Sequence, residues 1–114
     1  MRRVNVTYIE EVCGGEKEII IEMINIFIEQ VPELASEMES LYNEGKFFDL
    51  GLIAHKAKSS VAIMGMEELA GILKDLEMKA KGEVEKDLYK GYISEFRSQT
   101  IEAIEELRLY IKEL

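Results

Sequence analysis

Apolar residues recur along nearly the whole chain at three- and four-residue steps, the period of one helix face, and strand-like alternation is scarce. Tyr8, Ile9 and Val12 share one face of a short helix predicted over Thr7 to Cys13 and ended by Gly14-Gly15. Glu16 and Glu18 open a second helix, at the end where the helix dipole favours acids. Its inward set is Ile20, Met23, Ile24, Phe27, Ile28 and Val31, resuming past Pro32 as Leu34, Ala35, Met38, Leu41 and Tyr42. Pro32 predicts a kink or a split, and Asn43-Glu44-Gly45 a stop. A third helix follows from about Lys46 to Met64, closed by Gly65. A fourth begins near Met66-Glu67-Glu68 and carries Leu69, Ile72, Leu73 and Leu76, then Met78 and Ala80, with Lys79, Lys81 and Gly82 as its last turn. The last helix spans roughly Val84 to Leu114, with Leu88, Tyr92, Ile93, Phe96, Ile101, Ile104, Leu107 and Ile111 facing inward. Connections this short make neighbours antiparallel. The expected fold is all-α: an up-and-down antiparallel four-helix bundle with a short additional N-terminal helix.

Composition narrows this picture. The 114 residues contain no repeat, low-complexity tract or linker, so a single domain over 1–114 is expected. A hydrophobic fraction of 47% supports a core, and a formal net charge of −9 argues against nucleic acid and against an anionic membrane surface. Cys13 is alone, which excludes an intrachain disulfide and suits the reducing cytoplasm. One Cys and one His cannot close a zinc site, so no metal is expected. Met1-Arg2-Arg3 is basic but no uninterrupted apolar stretch follows, so no signal peptide is read. Ile19-Ile20-Ile21 is broken at once by Glu22, far short of a membrane span. Met23, Met38, Met64, Met66 and Met78 read as core filler and Cys13 as a small core hydrophobe. Glu102, Glu105 and Glu106 read as a solvated face.

His55, the one histidine, changes the picture most. Turned at helical pitch, the third helix places Leu50, Ala54, Ala57, Val61 and Met64 on a core stripe. His55 points nearly opposite, with Phe48, Leu52, Ser59, Ala62 and Met66 on its side. Lys58 lies three residues on, which makes the two side chains neighbours. A neutral imidazole nitrogen is a nucleophile at physiological pH. A phosphorylated imidazole would carry strong negative charge, and a cation one turn away offsets part of it. Ser59 leaves the nitrogen uncovered and offers a hydroxyl, whereas a long side chain there would block approach. Gly65 would let a partner backbone come near. The apolar positions around the ring would form a modest docking patch. On residue types alone, a solvated surface histidine is the commoner reading.

The stretch Ala54-His55-Lys56-Ala57-Lys58-Ser59-Ser60-Val61-Ala62-Ile63-Met64-Gly65 resembles the core motif of histidine-containing phosphotransfer (HPt) domains of bacterial two-component phosphorelays. That motif is a His, a Lys three residues on, a small residue next, and a Gly ten after the His. Phe27-Ile28-Glu29-Gln30-Val31-Pro32-Glu33-Leu34 is similar to the family's preceding helix, and Leu69-Ala70-Gly71-Ile72-Leu73-Lys74-Asp75-Leu76-Glu77 to its following one. Tyr8-Ile9-Glu10-Glu11-Val12 before Gly14-Gly15 resembles its opening helix. The resemblance covers most of the chain. Ser59 stands where Gly is most frequent, and Ala57 where a larger aliphatic is common.

The resemblance implies that His55 is the phosphoacceptor, through Nε2, and that Lys58 stabilises the phosphoryl group. It implies that Ser59 and Gly65 keep the site open, and that Glu77 hydrogen-bonds the other ring nitrogen. The implied partners are response-regulator receiver domains and a hybrid histidine kinase, docked over Phe48, Leu52, Lys56, Ser59, Ala62, Gly65 and Met66. The receiver would bring Mg²⁺; this chain would bring no cofactor, would act as a monomeric carrier in the cytoplasm, and would have no kinase or ATPase activity of its own. Two rivals stand beside it. One is an interaction module that binds and inhibits a receiver or kinase with His55 never phosphorylated. The other is an enzyme using His55 as general base with Glu77 or Asp75, although such sites sit in concave pockets and a convex helix face offers none.

Overall fold

The computed structural model describes residues 3–114; Met1 and Arg2, the start of the basic N-terminus, lie outside the described residues. Every regular element among them is helical. α1 spans Val6–Val12, α2 Lys17–Asn43, α3 Phe47–Ile63, α4 Glu67–Lys81 and α5 Tyr89–Glu113, with one 3-10 turn, Lys86–Leu88, leading into α5. α1 starts at an Asn5 cap, whose side-chain oxygen accepts from the Tyr8 amide at 3.1 Å. α3 packs most extensively on α4 and next on α2, while α5 closes against α2 and α4. The molecule measures 43 × 23 × 19 Å, and a 27-residue α2 is about 40 Å long. The bundle is therefore as long as its longest helix, with one continuous apolar core running between the helices.

α2 runs unbroken through Pro32, so the expected split does not occur. Proline removes the bond to the Ile28 carbonyl. Pro32 is on the exposed side of the helix, where water can take that carbonyl. The buried residues Ile20, Ile24, Phe27, Val31, Leu34, Ala35 and Met38 hold the helix on the core from both sides of the proline.

α5 begins later than the apolar pattern predicts. Gly82 to Glu85 form a loop in which Glu83 and Glu85 take positive φ of 52° and 51°. That conformation costs a residue with a Cβ about 1–2 kcal/mol. Tyr89, fully buried, holds the loop: its hydroxyl lies 2.8 Å from the Lys79 carbonyl and 2.6 Å from the Val84 carbonyl. From Tyr89 the buried face reads Tyr89, Ile93, Phe96, Thr100, Ala103 and Leu107 at alternating steps of four and three, with Gln99 buried beside Thr100. Thr100 fits inside because its hydroxyl donates to the Phe96 carbonyl at 2.6 Å. Leu88 (39% exposed) and Ile101 (59%) face solvent, against the sequence reading. Met78, at 65% exposed, is likewise not core filler. It neighbours Glu77 on the side of α4 turned away from Leu73 and Leu76, which are fully buried. Met38, Met64 and Met66 are buried as expected, as is Cys13.

Candidate functional site

α3 and α4 meet so closely that one position in the contact admits no side chain. Gly51 is buried, and a Cβ there would lie 2.7 Å from Lys81 Cγ, 3.0 Å from the Glu77 carbonyl oxygen and 3.1 Å from the Lys81 backbone nitrogen. One turn further along α3 is His55. The core stripe of α3 is as the wheel predicts: Leu50, Ala54, Ala57 and Val61 are fully buried. The imidazole projects from the opposite side, with 56% of its side chain exposed.

Glu77, on α4, stands under the ring. His55 Nδ1 lies 3.1 Å from Oε1 and 3.0 Å from Oε2 of its carboxylate. Lys58 Nζ donates to Oε1 at 3.2 Å, and Lys81 Nζ to Oε2 at 2.8 Å. The carboxylate is 12% exposed, and three donors converge on it. They hold its pKa down at about 2, Lys81 contributing most and burial opposing. A carboxylate ionised at neutral pH only accepts hydrogen bonds. Nδ1 must therefore carry the ring proton when the imidazole is neutral. Its lone pair is then on Nε2, and nothing among the described residues hydrogen-bonds that atom. The arrangement makes a bare nitrogen on an exposed ring, with a fixed carboxylate and the two ammonium groups bonded to it on the Nδ1 side.

The surrounding positions divide. Phe48 (52%) and Leu52 (47%) are exposed on the turns before His55, and Lys56, Ser59 and Ala62 are exposed around and after it. Ser59 donates its hydroxyl back to the His55 carbonyl at 3.3 Å. It leaves the space above the ring clear but does not offer the ring a bond. Gly65 ends α3 at φ +74°, a conformation that favours glycine. A Cβ there would meet Asn5 Cβ at 2.5 Å, and the Asn5 amide bonds the Met64 carbonyl at 3.0 Å. The close approach at Gly65 is thus made by this chain's own N-terminal segment. Met66 is 3% exposed and belongs to the core, so it offers no docking surface. Its place on the wheel fails because the helix ends at Ile63 and the chain turns.

Gly51 and Lys81 carry the site and were not read as site residues. Both left a signal: a lone glycine inside a helical pattern implies a packing reason, and Glu77 with Lys81 has the four-residue spacing of a helical ion pair. Asp75, the other candidate acid, points elsewhere, bonded by Tyr92 and Lys79 with its pKa lowered first by Tyr92.

The Hpt domain family model matches residues 22–113. The chain belongs to the Hpt domain family. No curated protein and no solved structure matches it. Membership gives this Hpt domain a role in phosphorelay signalling, in a family of phosphoryl carriers that lack catalytic activity of their own and meet receiver domains and kinases. Among the described residues no helix is long and apolar enough to cross a membrane.

Proposed function

We propose that His55 is the phosphoryl acceptor and donor of this Hpt domain. Nε2 attacks the phosphorus of an aspartyl phosphate on a receiver. The N–P bond forms as the O–P bond breaks, and the electron pair leaves with the receiver's carboxylate. The ring gains positive charge while Nδ1 keeps its proton, and Glu77 faces that proton as an anion. Lys58 turns from Glu77 to the phosphoryl oxygens. The reverse steps load a second receiver. The observation that carries this reading is the Nδ1 contact with a carboxylate ionised at neutral pH, which leaves Nε2 unprotonated on an exposed helix face. Alignment and charge neutralisation do most of the work in such a transfer.

Receiver docking is assigned to the α3 strip of Phe48, Leu52, Lys56, Ser59 and Ala62. An apolar groove of about 180 Å³ between α2 and α3, lined by Ile26, Phe27, Gln30, Ser60 and Ile63, borders it. The domain takes residues 1–114, up-and-down and antiparallel as its short connections favour. It works as a monomer in the cytoplasm, with no cofactor of its own and Mg²⁺ supplied by the receiver. Incubation with a phosphorylated receiver tests the assignment: wild type takes acid-labile label and His55→Gln takes none. Label on His55→Gln ends it. Receiver binding without label on wild type favours the inhibitory module instead.

A further inference from the structure

Two lysines hold one carboxylate in this site, and they are not equivalent. Lys58 reaches Glu77 from α3, the helix that bears His55, by the longer bond, 3.2 Å to Oε1. Lys81 reaches it within α4, from the next turn, at 2.8 Å to Oε2. A phosphoryl group on Nε2 would compete for Lys58, which stands one turn from the ring on the same helix. Lys81 is tethered to the carboxylate's own helix and has no such pull. If Glu77 depended on Lys58 alone, it would lose its neutralising partner at the moment the ring becomes charged.

We propose that Lys81 is a positioning residue for phosphotransfer: it holds the Glu77 carboxylate in place and aimed at His55 Nδ1, so that Lys58 is free to serve the phosphoryl group. Gly51 belongs to the same device. The absent Cβ lets the Lys81 stem and the α4 backbone sit against α3, and two of the three atoms a Cβ would meet are backbone. They cannot retreat without carrying Glu77 away from the ring. The low pKa of Glu77, to which Lys81 contributes most, agrees with this role. The inference rests on the phosphoacceptor reading of His55, but its first readout does not require phosphorylation.

The test is ¹⁵N NMR of the His55 ring in the unphosphorylated protein, where nitrogen shifts report which atom carries the proton. Wild type shows the Nδ1–H tautomer. Lys81→Met loses its dominance, Lys81→Arg restores it, and Lys58→Met keeps it. Gly51→Ala moves the ring resonances the same way as Lys81→Met. Label uptake from phosphoramidate falls about tenfold in Lys81→Met, the effect of losing one charge-assisted contact of about 1.5 kcal/mol, and returns with Lys81→Arg. A lysine that merely completes the last turn of α4 would alter the melting temperature and leave the ring spectrum alone. A wild-type ring spectrum in Lys81→Met therefore overturns the proposal, whatever its uptake rate. Loss of the tautomer in Lys58→Met with retention in Lys81→Met reverses the two roles. Absence of label on wild type defeats the phosphoacceptor reading, while the ring spectrum still decides who holds Glu77.

Discussion

The chemistry of the site follows from who bonds whom around Glu77. A lone histidine on an exposed helix face is commonplace; one whose Nδ1 meets an ionised carboxylate has its reactive nitrogen selected for it. Lys58→Ala removes the cation one turn from His55 on the same helix, and label transfer to His55 is expected to slow about 10- to 100-fold, the worth of one charge-assisted contact. Circular dichroism should show the same fold, because Lys58 is partly exposed and Glu77 keeps Lys81. Glu77 also ties the site to pH. Its folded pKa, about 2, is below its ordinary 4.5. The lowered value means that the folded state favours the charged form, so the stabilisation is complete above pH 4.5 and is lost as pH falls toward 2. Glu77→Gln should therefore flatten the acid side of the stability curve between those values, measured by urea unfolding across pH; an unchanged acid limb would contradict the ion cluster. His55, Lys58 and Ser59 were legible in the sequence because helix spacing puts them on neighbouring turns of one helix and they match a known motif, whereas Glu77, on another helix, was indicated only by the family resemblance. Lys81 and Gly51 were not read as site residues, because their role depends on how near α4 comes to α3, which no spacing along one helix reports.

At the scale of elements, periodicity located every helix, and the errors sit where local chemistry overrides it. Pro32 did not break α2, because its lost bond faces water while seven buried side chains hold the helix on either side. The apolar pattern ran α5 back to Val84, but the chain is held in a loop by Tyr89. Tyr89→Phe leaves the Val84 carbonyl without its donor, and a lost hydrogen bond costs about 0.5–1.5 kcal/mol. The melting temperature should fall by several degrees; no change would mean that the hydroxyl does not hold the loop. The rotational phase of α5 was misread at Ile101, since Thr100 and Ala103 are small or polar and give weak signals of burial. Phe96→Ala should cost about 3–5 kcal/mol, while Ile101→Ala should stay within about 0.5 kcal/mol. Denaturant titration of the two variants checks the assignment.

Across the whole molecule, charge is distributed against its own average. The chain carries a net −9, yet around His55 the exposed face of α3 presents Lys56 and Lys58 with no acid between Leu50 and Ile63. A basic face on an acidic body orients an approaching acidic partner and repels it elsewhere. Transfer from a phosphorylated receiver should therefore slow as salt rises, and Lys56→Ala should lower the low-salt rate severalfold and flatten that dependence. Stopped-flow rates across a salt series measure both. The frame behind the face is the bundle itself, whose continuous core packs α3 against α4.

The central claim is a single nitrogen atom, and one spectrum addresses it directly. Correlated ¹H–³¹P and ¹⁵N NMR of the domain after phosphorylation places the phosphorus on a ring atom. The expected result is a bond to Nε2 of His55 with the proton remaining on Nδ1. Phosphorus on Nδ1, on another residue, or on no residue at all would contradict the account.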